Sequence, residues 1–164
     1  MKKTRILLAA FAVMLAALIL PQQAHAFGRG EKSLGLMGGY ASYNDGGYMS
    51  MNFQWEFATH FRLAPEIGYV FKNDGLSAFE ASIDMQFPFR LIKGFGVYPL
   101  IGMTLNSWHH YPSKSNATRI GGDFGAGFDI YLLSYLKLSI QGKYSLMNDT
   151  GGGFIGMGIS YVFK

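Results

Sequence analysis

From residue 32 onward, apolar and polar side chains alternate along the chain with a period of two. The clearest run is 49–57, where Met49, Met51, Phe53 and Trp55 are separated by Ser, Asn and Gln. This period is typical of a β-strand whose two faces meet different surroundings. No stretch after residue 26 is long and apolar enough for a membrane-spanning helix. Eight segments show the alternation and are predicted to be strands: Lys32 to Tyr43, Gly47 to Phe57, Phe61 to Lys72, Leu76 to Phe89, Phe95 to Asn106, Arg119 to Tyr131, Leu136 to Leu146 and Gly153 to Phe163.

The links between these segments alternate in character along the chain. Asn44-Asp45-Gly46 and Asn73-Asp74-Gly75 carry the chemistry of tight hairpins, and Asn148-Asp149 is followed by glycines. The longest link, Ser107 to Thr118, is rich in Ser, Asn, His and Pro, so we expect a mobile loop there. The other links are short and carry fewer such signals. Eight antiparallel strands joined in this way predict an up-and-down barrel in a single domain.

The first 26 residues follow a different pattern. Basic residues at positions 2, 3 and 5 precede an apolar run over 6–20, and Ala24-His25-Ala26 has the form of an A-x-A cleavage site. The run is shorter than the roughly 20 residues that a membrane-spanning helix needs. We therefore predict a signal peptide cleaved after Ala26, which leaves residues 27–164 as the barrel domain of an exported protein.

Composition narrows the function classes. The 14 Lys and Arg residues exceed the 10 Asp and Glu residues, but three of the basic residues lie in the predicted signal peptide, so the remainder is close to neutral. Near neutrality argues against a nucleic-acid partner, which needs a basic patch. The absence of Cys excludes a disulfide scaffold, a Cys-ligated metal and a Cys nucleophile. Charged residues make up 15% of the chain, against roughly 25% in ordinary soluble domains.

An eight-stranded barrel can place its apolar row inside, as in a soluble ligand-binding barrel, or outside, as in an outer-membrane barrel. Its interior is only just wide enough to be filled by side chains, and an apolar row that includes Phe53, Trp55, Phe79 and Phe128 is too bulky for it. The sequence therefore predicts an all-β, eight-stranded antiparallel transmembrane β-barrel with its apolar row facing lipid. Two aromatic girdles are expected: Trp55, Phe57, Phe61, Phe87, Phe89, Tyr161 and Phe163 at the turn end, and Tyr40, Tyr69, Phe71 and Tyr144 toward the loop end.

The last predicted strand carries a recognisable local pattern. Gly158 is followed by two aromatic residues at alternate positions, Tyr161 and Phe163, although Lys164 follows where this pattern usually ends on the aromatic. With the barrel pattern and the predicted signal peptide, the chain resembles the small eight-stranded outer-membrane barrels of Gram-negative bacteria, the OmpA-like and OmpX-like proteins. The resemblance implies that Gly158, Tyr161 and Phe163 form a signal read by the barrel-assembly machinery.

The inward row carries an unusual number of charges. Paired carboxylates there raise the question of acid–base catalysis, but buried charges need partners, so a salt-bridge network that plugs the lumen is the favoured interpretation. A filled lumen also argues against an open pore, since large aqueous channels have about sixteen strands. The predicted network consists of Glu56, Arg62, Glu66, Glu80, Asp84, Asp123, Asp129, Lys137 and Lys143.

The long link is the candidate for an outside contact. Trp108, His109, His110 and Lys114 lie in it, and Lys114 is expected to meet lipopolysaccharide phosphates. The His pair could bind a metal ion, but the sequence offers no third ligand close to it. The stretch after the His pair faintly resembles a motif of lipid A deacylases, but the His does not lie two residues before the Ser, as that motif requires.

These observations favour a non-enzymatic outer-membrane barrel that serves envelope structure or surface interaction. We expect a monomer without a cofactor, in contact with outer-membrane lipids and lipopolysaccharide. The alternatives are an outer-leaflet lipid-modifying enzyme, a small porin-like channel and a soluble ligand-binding barrel.

Overall fold

The computed structural model describes residues 30–110, 115–147 and 151–163. The predicted signal peptide and its cleavage site, the Asn148-Asp149 turn and Lys114 lie outside these residues. In the described part of the chain, no helix is long and apolar enough to cross a membrane. The strands are β1 (Lys32–Ala41), β2 (Gly46–Ala58), β3 (Phe61–Asn73), β4 (Leu76–Gln86), β5 (Phe89–Ile92), β6 (Phe95–His110), β7 (Ser115–Leu133), β8 (Leu136–Met147) and β9 (Gly152–Phe163).

The strands form one antiparallel sheet that closes on itself. Consecutive strands pair with each other except β4 and β5, which both pair with β6, and β1 pairs with β9. The short strand β5 extends the line of β4 along β6, so β4 and β5 together form one of the eight strands of the closed barrel. The predicted fold class, an eight-stranded antiparallel up-and-down barrel, is confirmed.

The fourth predicted strand, Leu76 to Phe89, is interrupted near its end. Strand β4 stops at Gln86 and β5 begins at Phe89, with Phe87 and Pro88 between them. Proline has no amide hydrogen and cannot donate to a sheet ladder. The pairing with β6 is nevertheless kept, because the Phe87 amide donates to the Pro99 carbonyl at 2.9 Å.

The two faces of the sheet differ as the alternation predicts. Side chains of the apolar row point outward and are exposed, with Met103 at 66% and Ile120 at 68% of full exposure. Inward side chains are buried and mostly polar, and strand β2 alternates between the two states along most of its length. The predicted girdle aromatics lie on the outward face, where neighbouring rings contact each other, as in Trp55–Phe57 and Tyr69–Phe71.

The predicted mobile loop from Ser107 to Thr118 is wrong over most of its length. Strand β6 continues to His110 and β7 starts at Ser115, with a regular pairing of Trp108 with Ala117 and of His110 with Ser115. The sequence pattern fails here because strand residues beyond the apolar belt do not need an apolar outward row. The first strand shows the opposite error, since it ends at Ala41 and Tyr43 belongs to the link.

We call the end that carries the β1–β2, β3–β4, β6–β7 and β8–β9 links the loop end, and the opposite end the turn end. At the loop end, Asp74 and Gly75 both have positive φ, as a type I′ hairpin turn requires. The Asn44 amide donates to the carbonyls of Phe71 and Leu76 at 2.8 and 3.0 Å. The Asn73 amide donates to the Asn44 carbonyl at 2.8 Å. The two Asn-Asp-Gly links are therefore fastened to each other.

Candidate functional site

The inside of the barrel holds an ionic cluster near the turn end, centred on Arg62. Its guanidinium is 2.6 Å from Asp129, donates to Gln86 at 2.6 Å, and lies 4.6 Å from the centre of the Tyr98 ring. The Ser139 hydroxyl donates to the other oxygen of Asp129, also at 2.6 Å. Strands β3, β4, β6, β7 and β8 are thereby joined across a lumen narrow enough for their side chains to meet.

Lys137 extends this cluster toward the turn-end mouth. Its ammonium lies 3.7 Å from Glu31 and donates to Gln54 at 2.6 Å. The Tyr131 hydroxyl donates to Glu31 at 2.5 Å. Burial raises the pKa of the Glu31 carboxyl, and the Lys137 ammonium partly offsets this. Sequence reasoning missed Glu31 because the first predicted strand starts at Lys32, although Glu31 has the same parity as the inward Ser33.

A second ionic cluster lies closer to the loop end, around Lys143. The Lys143 ammonium is 2.9 Å from Glu80, 3.0 Å from Glu66 and 3.8 Å from Asp123. The Tyr48 hydroxyl donates to Glu66 at 2.8 Å and to Glu80 at 3.1 Å. One lysine therefore gathers carboxylates from β3, β4 and β7, and the tyrosine adds β2.

All nine charged residues of the predicted network lie buried inside the barrel. Seven of them take part in ion pairs within the described residues. Glu56 and Asp84 share the interior, and each has one carboxylate oxygen buried without a hydrogen-bond partner there. Most charges of the predicted network are therefore paired with each other inside the lumen.

The loop end of the lumen has a different chemistry, which the sequence analysis did not anticipate. Inward apolar residues of six strands pack together there into what we call the apolar cap. The rings of Tyr48 and Phe154 are 4.3 Å apart, and those of Tyr43 and Trp108 are 5.7 Å apart in an edge-to-face contact. Burial raises the pKa of the Tyr43 phenol. The cap consists of Met37, Ala41, Tyr48, Val70, Ala78, Trp108 and Phe154, with Tyr43 and Leu76 packed against it.

The prediction that Trp108 lies in an exposed loop is wrong. Trp108 belongs to β6, faces inward and is only 7% exposed. Its parity along β6 matches that of the inward Thr104 and Asn106, which shows that the strand continues through it. Extending the alternation by one step past Asn106 would have found this position.

The His pair lies at the rim. His109 and His110 are exposed, at the end of β6, and the backbone of His110 pairs with that of Ser115 on β7. Lys114, which was predicted to lie in the same link, is outside the described residues. Within the described residues, no group of three or more His, Cys, Asp or Glu side chains is arranged to hold a metal ion.

The three residues of the predicted assembly signal lie on β9. Tyr161 and Phe163 point outward near the turn end, with ring centres 6.4 Å apart. Gly158 faces inward beside Met37 of β1, and a Cβ at this position would lie 2.5 Å from the Leu36 carbonyl oxygen. A side chain at this position would therefore force β1 or β9 to shift.

A scan of protein-family models and a search of curated proteins give no match for this chain. Several solved structures share its fold. The N-terminal β-barrel domain of Pseudomonas aeruginosa OprF superposes with a TM-score of 0.72 at 15% identity, covering 84% of this chain and 100% of the other. Neisserial surface protein A gives 0.66 at 14% identity, covering 81% and 96%. The attachment invasion locus protein of Yersinia pestis gives 0.62 at 15% identity, covering 83% and 100%.

These similarities establish the fold of the small eight-stranded outer-membrane barrels. The resemblance noted from the sequence is thereby confirmed at the level of the fold.

Proposed function

We propose that this protein is a non-enzymatic, integral outer-membrane β-barrel whose lumen is plugged and whose role is envelope structure or surface interaction. The observation that carries the proposal is the division of side chains between the two faces of the sheet. Bulky apolar residues cover the outside, while paired charges and close-packed rings fill the inside. A barrel of this kind is stable only in lipid, because a soluble barrel needs a polar exterior.

The lipid partner follows from the outer surface. Exposed aliphatic residues form the middle of the barrel wall, and aromatic residues lie toward both ends, where membrane barrels place their interfacial girdles. Two of the proteins with similar structures are named as a surface protein and as an attachment invasion locus protein. Their names are consistent with a location in the outer membrane. We place the loop end outside, because barrels of this kind have short inner turns and longer outer loops, and a surface role would reside there.

The test is membrane extraction followed by gel migration with and without boiling. A closed barrel should migrate faster until it is boiled, because all its strands are hydrogen-bonded to neighbours. The protein should appear in the membrane fraction, and purified protein should show no stable conductance steps in a planar bilayer. Recovery as a soluble protein without detergent would contradict the membrane location, and discrete conductance steps would contradict the plugged lumen.

A lipid-modifying enzyme is the second candidate, and one observation favours it. The backbone pairing places His110 opposite Ser115 at the loop-end rim, where an outer-leaflet lipid would be within reach. Purified protein should release no acyl chains from lipid A if the main proposal is right. Acyl release that disappears in both His110→Ala and Ser115→Ala, but persists in His60→Ala at the opposite end, would establish the enzyme instead.

A further inference from the structure

The lumen contains two stacked layers of different chemistry. The apolar cap occupies the loop end, and the Lys143 cluster lies directly beneath it. Tyr48 joins the layers, because its ring packs on Phe154 while its hydroxyl donates to Glu66 and Glu80. An ion that moves along the barrel must therefore pass an apolar layer as well as a charged one.

The cap is continuous around most of the barrel. Tyr48, Val70, Ala78 and Trp108 are successive partners across β2, β3, β4 and β6, and all four side chains face inward and are buried. Ala41 of β1, which pairs with Phe154 of β9, continues the layer on the other side of Tyr48. Six of the eight barrel strands thus contribute an apolar side chain to the cap.

Tyr43 covers this layer from the β1–β2 link. Its ring meets the edge of Trp108 and fills the space beside Gly152, where an added Cβ would come within 2.7 Å of the Tyr43 Cε1 atom. The Trp108 indole N–H is buried without a hydrogen-bond partner within the described residues.

An apolar constriction excludes ions because water inside it has no hydrogen-bond partners and an ion would lose its hydration shell. The ionic layers lack this property, since their carboxylates, amides and hydroxyls can exchange a protein partner for water.

We infer that the apolar cap, closed by Tyr43 and Trp108, is the principal barrier to water and ions at the loop end of the lumen, ahead of the ion-pair network. This deepens the plugged-lumen proposal, on which it rests. It assigns the barrier to specific side chains and separates it from the buried salt bridges.

The two tryptophans of the chain provide a matched test. Trp108 lies in the cap, while Trp55 is on the outward face and 42% exposed. Wild type, Trp108→Ala and Trp55→Ala are reconstituted in lipid vesicles, and the leak of a small monovalent ion is measured. Each variant is first shown to be folded by its heat-dependent gel migration. Trp108→Ala should raise the leak at least about tenfold, and Trp55→Ala should leave it at the wild-type level.

Two further variants keep the inference falsifiable if Trp108→Ala folds poorly. Tyr43→Ala alters only a link residue and should also raise the leak. Arg62→Ala, in the turn-end cluster, should not raise it. A folded Trp108→Ala or Tyr43→Ala with the wild-type leak overturns the inference, and so does a leak in Arg62→Ala as large as that in either cap variant. Conductance steps in the wild type would instead contradict the plugged lumen itself.

Discussion

Arg62 shows how a full positive charge is held inside this barrel. Its planar guanidinium meets three different partners, the carboxylate of Asp129, the amide oxygen of Gln86 and the face of Tyr98. A lysine ammonium cannot satisfy this set, because it lacks both the forked donor geometry and the flat face that stacks on a ring. The charge is stabilised by geometry specific to arginine as well as by its sign.

We predict that Arg62→Ala lowers the free energy of unfolding by about 3–5 kcal/mol, because it leaves Asp129 buried without its guanidinium partner. Arg62→Lys should recover only part of this loss. Urea unfolding in lipid vesicles measures the change. Lys32→Ala, at an exposed outward position near the same end, serves as the control and should stay within about 0.5 kcal/mol of wild type.

The double variant Arg62→Ala with Asp129→Asn measures how strongly the two side chains stabilise each other. The double variant should lose less free energy of unfolding than the sum of the two single variants. Each single variant leaves the other charge buried without its partner, whereas the double variant removes both charges. A strictly additive loss would show that the two groups do not stabilise each other.

At the scale of the element, the two Asn-Asp-Gly links act as one structure. Each link supplies an asparagine whose amide donates to backbone carbonyls of the other, so the β1–β2 and β3–β4 hairpins are fixed relative to each other. The hydroxyl of Tyr40 also donates to Asp45, which ties the first link to its own strand. Hydrogen bonds between the two links therefore fix this half of the loop-end rim.

Replacing Asn44 should therefore weaken both hairpins together. Asn44→Ala removes the donor to the Phe71 and Leu76 carbonyls, and we expect a loss of about 1–3 kcal/mol in the free energy of unfolding. Asn44→Asp should be worse at neutral pH, because it puts a carboxylate against the same two carbonyl oxygens. The measurement is vesicle-based unfolding of both variants beside wild type. An Asn44→Asp protein as stable as wild type would show that the hydrogen bonds between the two links do not stabilise the hairpins.

The elements were predictable to the extent that one face of each strand meets an apolar environment. The alternation located all eight barrel strands and identified which of their side chains face inward. It failed at strand ends, as at His110 and Ser115, where outward residues no longer need to be apolar. It also missed the break between β4 and β5 at Phe87 and Pro88, where the alternation of inward and outward side chains continues.

The partners inside the lumen were not predictable in the same way. Parity places Arg62 and Asp129 inward, but they are 67 positions apart, and Lys143 is 77 positions from Glu66. Which residues meet depends on the stagger of the closed barrel, which a single strand pattern does not contain. The apolar cap was missed for a related reason, since it is one ring of residues distributed over six strands.

For the molecule as a whole, closure between β1 and β9 replaces covalent staples. The chain has no cysteine, and the seam is a continuous antiparallel ladder from Lys32–Phe163 to Ala41–Phe154. At the turn end of that ladder, Phe163 points outward, and its ring lies 6.3 Å from that of Phe53 on β2. The two rings are neighbours on the outward face, but only Phe163 belongs to the proposed assembly signal.

This pairing allows the signal to be tested apart from stability. Phe163→Ala and Phe53→Ala remove similar rings from the same outward patch, so both should lower the stability of the refolded barrel by similar amounts, about 1–2 kcal/mol at such partly exposed sites. In cells, where the assembly machinery must recognise the last strand, Phe163→Ala should reduce the folded, heat-modifiable fraction well below that of Phe53→Ala. Equal yields of the two variants in cells would show that Phe163 contributes only packing, whereas a difference confined to cells would separate recognition of the strand from the strength of the barrel it closes.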